Sequence, residues 1–277
     1  MLGPVSGQQL AQDFTGTVAF NQNQATAAGL PNDAHTKLAA GKPVTVQVNY
    51  TNNTVATQKI AADGRLDRRV DVPLVPQGTS GSVNLPLSLS SSVPGFLVPP
   101  GTDQLKAVAA SSTPAQIEVS ATTGSPDLFG DLKKAQNGST ISVVTDNGSA
   151  EQPIVQGNWS TFVQQIGPFG NGGAPTGTST ITATAHTQAF DPALASSTGD
   201  PYAAAVNASA QAANPVTVAP GATGSLQVTL TPTGPKGSTV KGVLYLVSGP
   251  TGVATANNSL GTTGSVLAAI PYSYTVN

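Results

Sequence analysis

Four apolar side chains spaced two apart, Val44, Val46, Val48 and Tyr50, alternate with Thr45, Gln47 and Asn49. In an extended strand successive side chains point to opposite faces, so this run buries one face and wets the other. The same period recurs in Val70, Val72 and Leu74, in Val83, Leu85, Leu87 and Leu89, in Ile117 with Val119, and in Leu226, Val228 and Leu230. Gly, Pro and Asn punctuate the runs, as Asn52-Asn53 does after the first. The stretch from Val240 to Val247 is apolar on both faces and predicts a central strand. Helical periodicity is nearly absent. Only Asp127 to Gln136 and the Ala-rich segment from Asp200-Pro201 to Asn214-Pro215 offer a turn or two of helix. The pattern predicts an all-β fold, built as tandem immunoglobulin-like or fibronectin-III-like β-sandwich modules.

The chain has 277 residues, enough for two or three sandwiches of ~100 residues. Its 38% hydrophobic content supports a buried core, but only 9% of residues are charged, against ~25% in ordinary soluble domains. The surface must therefore be Ser, Thr, Asn, Gln and Gly. A net charge of −2 excludes electrostatic steering toward nucleic acid or an anionic membrane. There is no cysteine, so disulfides and thiolate metal sites are excluded. No apolar stretch is long enough for a membrane-spanning helix. The Thr/Ser/Asn/Gly surface points to an extracellular or cell-surface setting. Met1-Leu2-Gly3-Pro4 opens no export signal, which leads to the expectation that the chain is the tail of a longer secreted polypeptide.

Residues 38–66 and 218–246 repeat one pattern. The first reads Leu-Ala-Ala-Gly-Lys-Pro before the alternating strand Val44–Tyr50; the second reads Val-Ala-Pro-Gly-Ala-Thr before Leu226–Leu230. Each continues through a polar stretch into a second apolar run. This predicts the same kind of sandwich at both ends of the chain. A further start at Leu97-Val98-Pro99-Pro100-Gly101-Thr102 and a Gly/Pro-rich break at Gly167–Gly177 give three modules, 14–92, 93–178 and 179–277, after a linker at 1–13. The alternative merges the first two.

Several strings carry a resemblance: Ile166-Gly167-Pro168-Phe169, His186-Thr187-Gln188-Ala189-Phe190-Asp191-Pro192, Ser196-Ser197-Thr198-Gly199-Asp200, Thr229-Leu230-Thr231-Pro232-Thr233-Gly234, and Ala269-Ile270-Pro271-Tyr272-Ser273-Tyr274-Thr275-Val276. With Leu97–Thr102 and Asp63-Gly64-Arg65-Leu66, their order resembles the C-terminal region of large secreted bacterial subtilisin-like serine proteases. The resemblance covers most of residues 38–277. It implies non-catalytic β-sandwich modules that follow a catalytic domain, and the catalytic domain itself has no counterpart here.

The residues weigh the same way. A Ser–His hydrolase needs a base in contact with a nucleophile and a carboxylate, and the only histidines are His35, read as lying in a polar loop, and His186, read as a surface or cross-strand residue. No Gly-x-Ser-x-Gly elbow occurs. A glycosidase needs a carboxylate pair; Glu118 and Glu151 are the only glutamates, and most aspartates stand beside turn residues. The candidate calcium ligands are Asp127 and Asp131, against the simpler reading of Asp127 as a helix N-cap. Asp63 and Asp67 form another pair, but Arg65, Arg68 and Arg69 make it a solvated ion-pair cluster. Trp159, the single tryptophan, is a possible sugar-stacking aromatic, although Phe162, Val163 and Ile166 nearby favour a core anchor. Asn-x-Ser/Thr triplets such as Asn207-Ala208-Ser209 are expected by chance in so polar a chain.

These readings combine into a non-catalytic accessory array with no catalytic residue, cofactor or required metal. Its partners would be a linked or adjacent catalytic domain and polymeric substrate or a cell surface. The alternative is an adhesion or carbohydrate-binding module, weakened by an aromatic content of 5%.

Overall fold

The computed structural model describes residues 25–74, 83–86, 91–92, 96–111, 115–121, 132–135, 140–146, 154, 156–165, 178–194, 200, 202, 215–248 and 265–277. In chain order the strands are β1 (Ala25–Ala28), β2 (Asn32–Leu38), β3 (Val44–Thr51), β4 (Gln58–Leu74), β5 (Val83–Pro86), β6 (Ser91–Ser92), β7 (Phe96–Val98), β8 (Gln104–Ser111) and β9 (Ala115–Ala121). They continue with β10 (Leu132–Ala135), β11 (Thr140–Asp146), β12 (Gly157–Gln165), β13 (Thr178–Phe190), β14 (Val216–Val218), β15 (Thr223–Leu230), β16 (Thr239–Ser248) and β17 (Ser265–Val276). A 3-10 turn at Pro192–Leu194 is the one helical element among the described residues, so the fold is all-β. No helix there is long and apolar enough to cross a membrane.

The strands form three sheets. One is β1-β3-β15. A second runs β10-β9-β12-β6 with β7 also on β12. The third and longest runs β11-β8-β13-β4-β16-β17-β2, with β14 on β4 and β5 on β13. Among the described residues every pairing is antiparallel except β17 with β2.

The alternating pattern of the first run becomes a packing pattern. Val46, Val48 and Tyr50 of β3 and Leu226, Val228 and Leu230 of β15 turn inward, onto Ile60 and Ala62 of β4, Leu244 and Leu246 of β16, and Tyr272, Tyr274 and Val276 of β17. One core therefore lies between the small sheet and half of the long sheet. The remaining strands make a second lobe, in which β9 and β10 lie against β8 and β11.

The strand pairing crosses the boundaries expected at 92/93 and 178/179. β3 pairs with β15 and β4 with β16, so the first and last expected modules share both of their sheets. The sequence repeat explains this. Gln47 pairs with Gln227, and Gly64 with Leu244; these are the residues that the repeat aligns. The two copies are related by a pseudo-twofold axis inside one sandwich rather than standing as two sandwiches. The turns before them match closely. Gly41 and Gly221 both have φ of 72°, a left-handed conformation that glycine adopts without cost to a Cβ. Gly41 N donates to Pro232 O at 2.9 Å, and Gly221 N donates to Asn52 O at 2.7 Å. A lone strand pair with one apolar face has nothing to cover it, and here each copy is covered by the other.

β4 joins the lobes. Its residues Ile60 to Leu66 pair with β16, and Arg65 to Leu74 pair with β13. β13 carries on to β8 in the second lobe.

Other expectations meet the structure individually. Val240–Val247 lies in β16 between β4 and β17, as a central strand should. Leu132–Ala135, within one segment offered as helix, is strand β10, paired with β9; the rest of that segment and most of the Ala-rich one lie outside the described residues. His35 sits on strand β2 rather than in a loop.

Candidate functional site: a buried ionic joint

The first half of β4 is covered on both faces, and residues 61–65 are all buried. Ile60 and Ala62 face the main core. Ala61, Asp63 and Arg65, on the opposite face, would be wet on an ordinary outer sheet surface. Here Tyr202 packs on Ala61 and Val247, with Leu97, Tyr245 and Val266 around them. Leu97 comes from β7 of the second lobe, so this small apolar cluster lies where the lobes meet.

The charged residues complete the joint. Asp63 has no exposed surface, Arg65 is 3% exposed and Asp200 is 8% exposed. Arg65 donates from Nε and Nη2 to Asp63 Oδ2, at 3.1 and 2.9 Å, and from Nη2 to Asp200 Oδ1 at 2.5 Å. Asp200 Oδ1 also accepts the Tyr202 N–H at 2.9 Å. The Arg65 guanidinium carbon lies 5.5 Å from the centre of the Phe190 ring, its cross-strand partner. Asp63 Oδ1 is buried without a hydrogen-bond partner among the described residues.

Electrostatics follow from the burial. Desolvation drives the Asp63 carboxyl up to about 8, against the attraction of Arg65, with the Asp200 charge adding to the rise. Burial disfavours the Arg65 cation, but Asp63 and Asp200 outweigh it and hold the guanidinium charged. Tyr202 is pushed well above its ordinary value, mainly by burial and then by Asp63.

A second polar knot adjoins the first. Asp191 N donates to Gly64 O at 2.9 Å, Asp191 Oδ1 accepts Ala193 N at 2.9 Å, and Asp191 Oδ2 accepts the Tyr272 hydroxyl at 2.6 Å. Burial raises the Asp191 carboxyl, and those two donors oppose the rise. Gly64 makes this possible: a Cβ there would lie 2.7 Å from Leu194 Cβ. Toward the second lobe, Tyr245 donates to Gln188 Oε1 at 2.9 Å, Thr187 to Pro100 O at 3.2 Å, and Arg69 to Gly101 O at 2.6 Å.

The expected site residues fare differently. Trp159 is 3% exposed on β12, with Phe96 and Ala121 as strand partners; its ring is in the interior and offers no platform for a sugar. Asp127 and Asp131 lie outside the described residues. Asp63 and Arg65 are not the solvated cluster expected, because Asp200 and Tyr202 cover their face of β4; Asp67, Arg68 and Arg69 beyond them are exposed. His186 pairs across strands with Asp71, its Nδ1 2.8 Å from Oδ1, and His35 stands the same distance from Asp33. Among the described residues no three His, Cys, Asp or Glu side chains converge on a metal position.

Sequence reasoning missed the partnership of Arg65 with Asp200, whose residues are 135 apart. A usable signal was present: in a charge-poor chain, Asp63 and Arg65 stand within an apolar run. Four of the strings quoted above, Asp63–Leu66, Leu97–Thr102, His186–Pro192 and the chain end, meet at this joint, and Asp200 of a fifth meets them there. No family model, curated protein or solved structure matches the chain.

Proposed function

We propose that the chain is a non-catalytic accessory array that holds a catalytic domain of a secreted subtilisin-like serine protease in place, as spacer, stabiliser or docking surface. The observation that carries this reading is β4, a 17-residue strand shared by both lobes, with the charged joint buried where they meet. A shared strand resists hinge motion, because bending it breaks ladder hydrogen bonds with both β16 and β13. Rigid spacing is what a support needs and what a substrate-closing enzyme does not. The quoted strings point the same way, since they cluster at this joint.

A second reading, contact with a neutral polysaccharide, has its own support. The outward residues of β3 and β15 pair as Thr45 with Thr229, Gln47 with Gln227, Asn49 with Ser225 and Thr51 with Thr223. This strip of hydroxyls and amides carries no charge. The Thr51 and Thr223 hydroxyls are 2.8 Å apart, and Gln47 donates to Ser225 at 3.0 Å.

Two measurements separate these readings. The DNA preceding the Met1 codon is read in all frames, and the purified chain is sedimented with insoluble neutral glucans and chitin. A subtilisin-like coding stretch, together with a chain unbound to polymer, supports the accessory reading. An unrelated preceding gene overturns it. Sedimentation abolished by Gln47→Lys and Gln227→Lys then establishes the polysaccharide surface.

A further inference from the structure

We propose that the joint is a proton-operated lock, in which a single proton on Asp63 balances the buried cluster and its loss loosens the seat of Asp200 and Tyr202 on β4. The charge count leads there. Two carboxylates and one guanidinium share a volume that water scarcely reaches: the side chains of Asp63, Arg65 and Asp200 are 0%, 3% and 7% exposed. With every group ionised the cluster holds one uncompensated negative charge, and an unpaired buried charge is the costliest thing a protein interior can hold.

The hydrogen bonds identify where the proton goes. Asp200 Oδ1 is occupied by Arg65 and by the Tyr202 N–H. Asp63 Oδ2 takes two of the Arg65 hydrogen bonds, and Asp63 Oδ1 takes none among the described residues. A carboxylate with one oxygen buried and unsolvated is the member of the cluster that gains most from becoming neutral. When the pH rises, the proton leaves for solvent and the full negative charge stays between β4 and the two residues that cover it, Asp200 and Tyr202.

Among the described residues, the groups facing Asp63 are few. Arg65 lies on β4 itself, Asp200 and Tyr202 cover it, and Tyr245 on β16 is its cross-strand partner. Asp67 and Arg69 lie further along β4, within electrostatic reach of Tyr245. Burial pushes Tyr202 and Tyr245 upward, away from neutrality. Neither tyrosine therefore shares the window from pH 6 to 9 with Asp63.

The direction is fixed by linkage. A carboxyl raised on folding from 3.8 to about 8 binds its proton more tightly in the native state. Its contribution to stability is complete at acid pH and is lost as the pH climbs through the raised value. The joint is tightest below the ordinary carboxyl value of 3.8 and slackens progressively as the pH climbs from there to the raised value of about 8.

The test is thermal unfolding of the full chain from pH 6 to 9, beside Asp63→Asn and His186→Gln. The midpoint of the wild type should fall by about 5 °C or more across the window. Asp63→Asn should abolish the fall, and His186→Gln, which leaves the cluster intact, should keep it. Infrared difference spectra of the wild type supply a readout that does not depend on any variant folding. A protonated-carboxyl C=O band should disappear over the same window. A flat wild-type profile, a slope that survives in Asp63→Asn, or a spectrum without that band would each overturn the proposal.

Discussion

The Tyr272 hydroxyl donates to Asp191 Oδ2 at 2.6 Å and lies 3.2 Å from the Arg65 carbonyl oxygen. Through one phenol, the last strand of the chain is tied to the 3-10 turn that leaves β13 and to the β4 backbone. Tyr272→Phe keeps the ring in the core but leaves a buried carboxylate oxygen without its donor. The expected cost is about 1–3 kcal/mol, read as a lower denaturant midpoint with an unchanged m-value.

Among the described residues, Arg65 is the only cation within the joint's buried ion cluster. Arg65→Met should cost about 3–5 kcal/mol, because the Asp200 carboxylate is left buried without a counter-charge and both carboxyl groups lose the guanidinium donors. Combining it with Asp63→Leu and Asp200→Asn should restore much of the loss, since no unpaired carboxyl group then remains buried. Chemical denaturation of the single and triple variants measures this. A triple variant less stable than Arg65→Met would show that the ions hold the joint rather than merely tolerating one another.

The pseudo-twofold axis makes a paired prediction. Gly41→Ala and Gly221→Ala each place a Cβ in open space on a backbone with φ of 72°. Each should cost about 1 kcal/mol, and the two losses should be equal within a few tenths and additive in the double variant. Clearly unequal losses would break the equivalence of the two turns.

Gly242→Ala should be worse than either. A Cβ there would collide with the Arg65 carbonyl oxygen and the Tyr272 hydroxyl. Backbone cannot move aside as a flexible side chain can, so the overpacking penalty is about 1–3 kcal/mol or more. Thermal melts of this variant beside Gly221→Ala give the ranking.

Trp159 should emit at short wavelength and resist iodide quenching, as a ring 3% exposed requires. Saturating neutral polysaccharide should leave its spectrum unchanged. A sugar-induced shift would place the ring at a binding surface instead.

How much was legible in the sequence can be argued from β3 and β4. The alternation Val46, Val48, Tyr50 against Thr45, Gln47, Asn49 specified a strand with one dry face, and the structure buries those three apolar residues completely. The repeat of 38–66 in 218–246 was equally legible, down to the matched glycines at 41 and 221. Its meaning was not. Two copies of a strand pair can head separate sandwiches or cover each other, and the local pattern is the same in both cases.

Tertiary structure decided between them, and it decided the joint. In the sequence Asp63 and Arg65 look like surface charges two residues apart, as Asp67 and Arg69 do, and for the latter pair that reading holds. Whether a charge is buried depends on what covers its face of the sheet, and the cover here, Asp200 and Tyr202, arrives from a distant part of the chain. Strand periodicity is a property of neighbours along the backbone, and so the sequence by itself determined the all-β class and the faces of the strands. Pairing partners, the merging of the chain's two ends into one sandwich and the charge state of Asp63 depend on loop closures and desolvation, which exist only once the chain has folded.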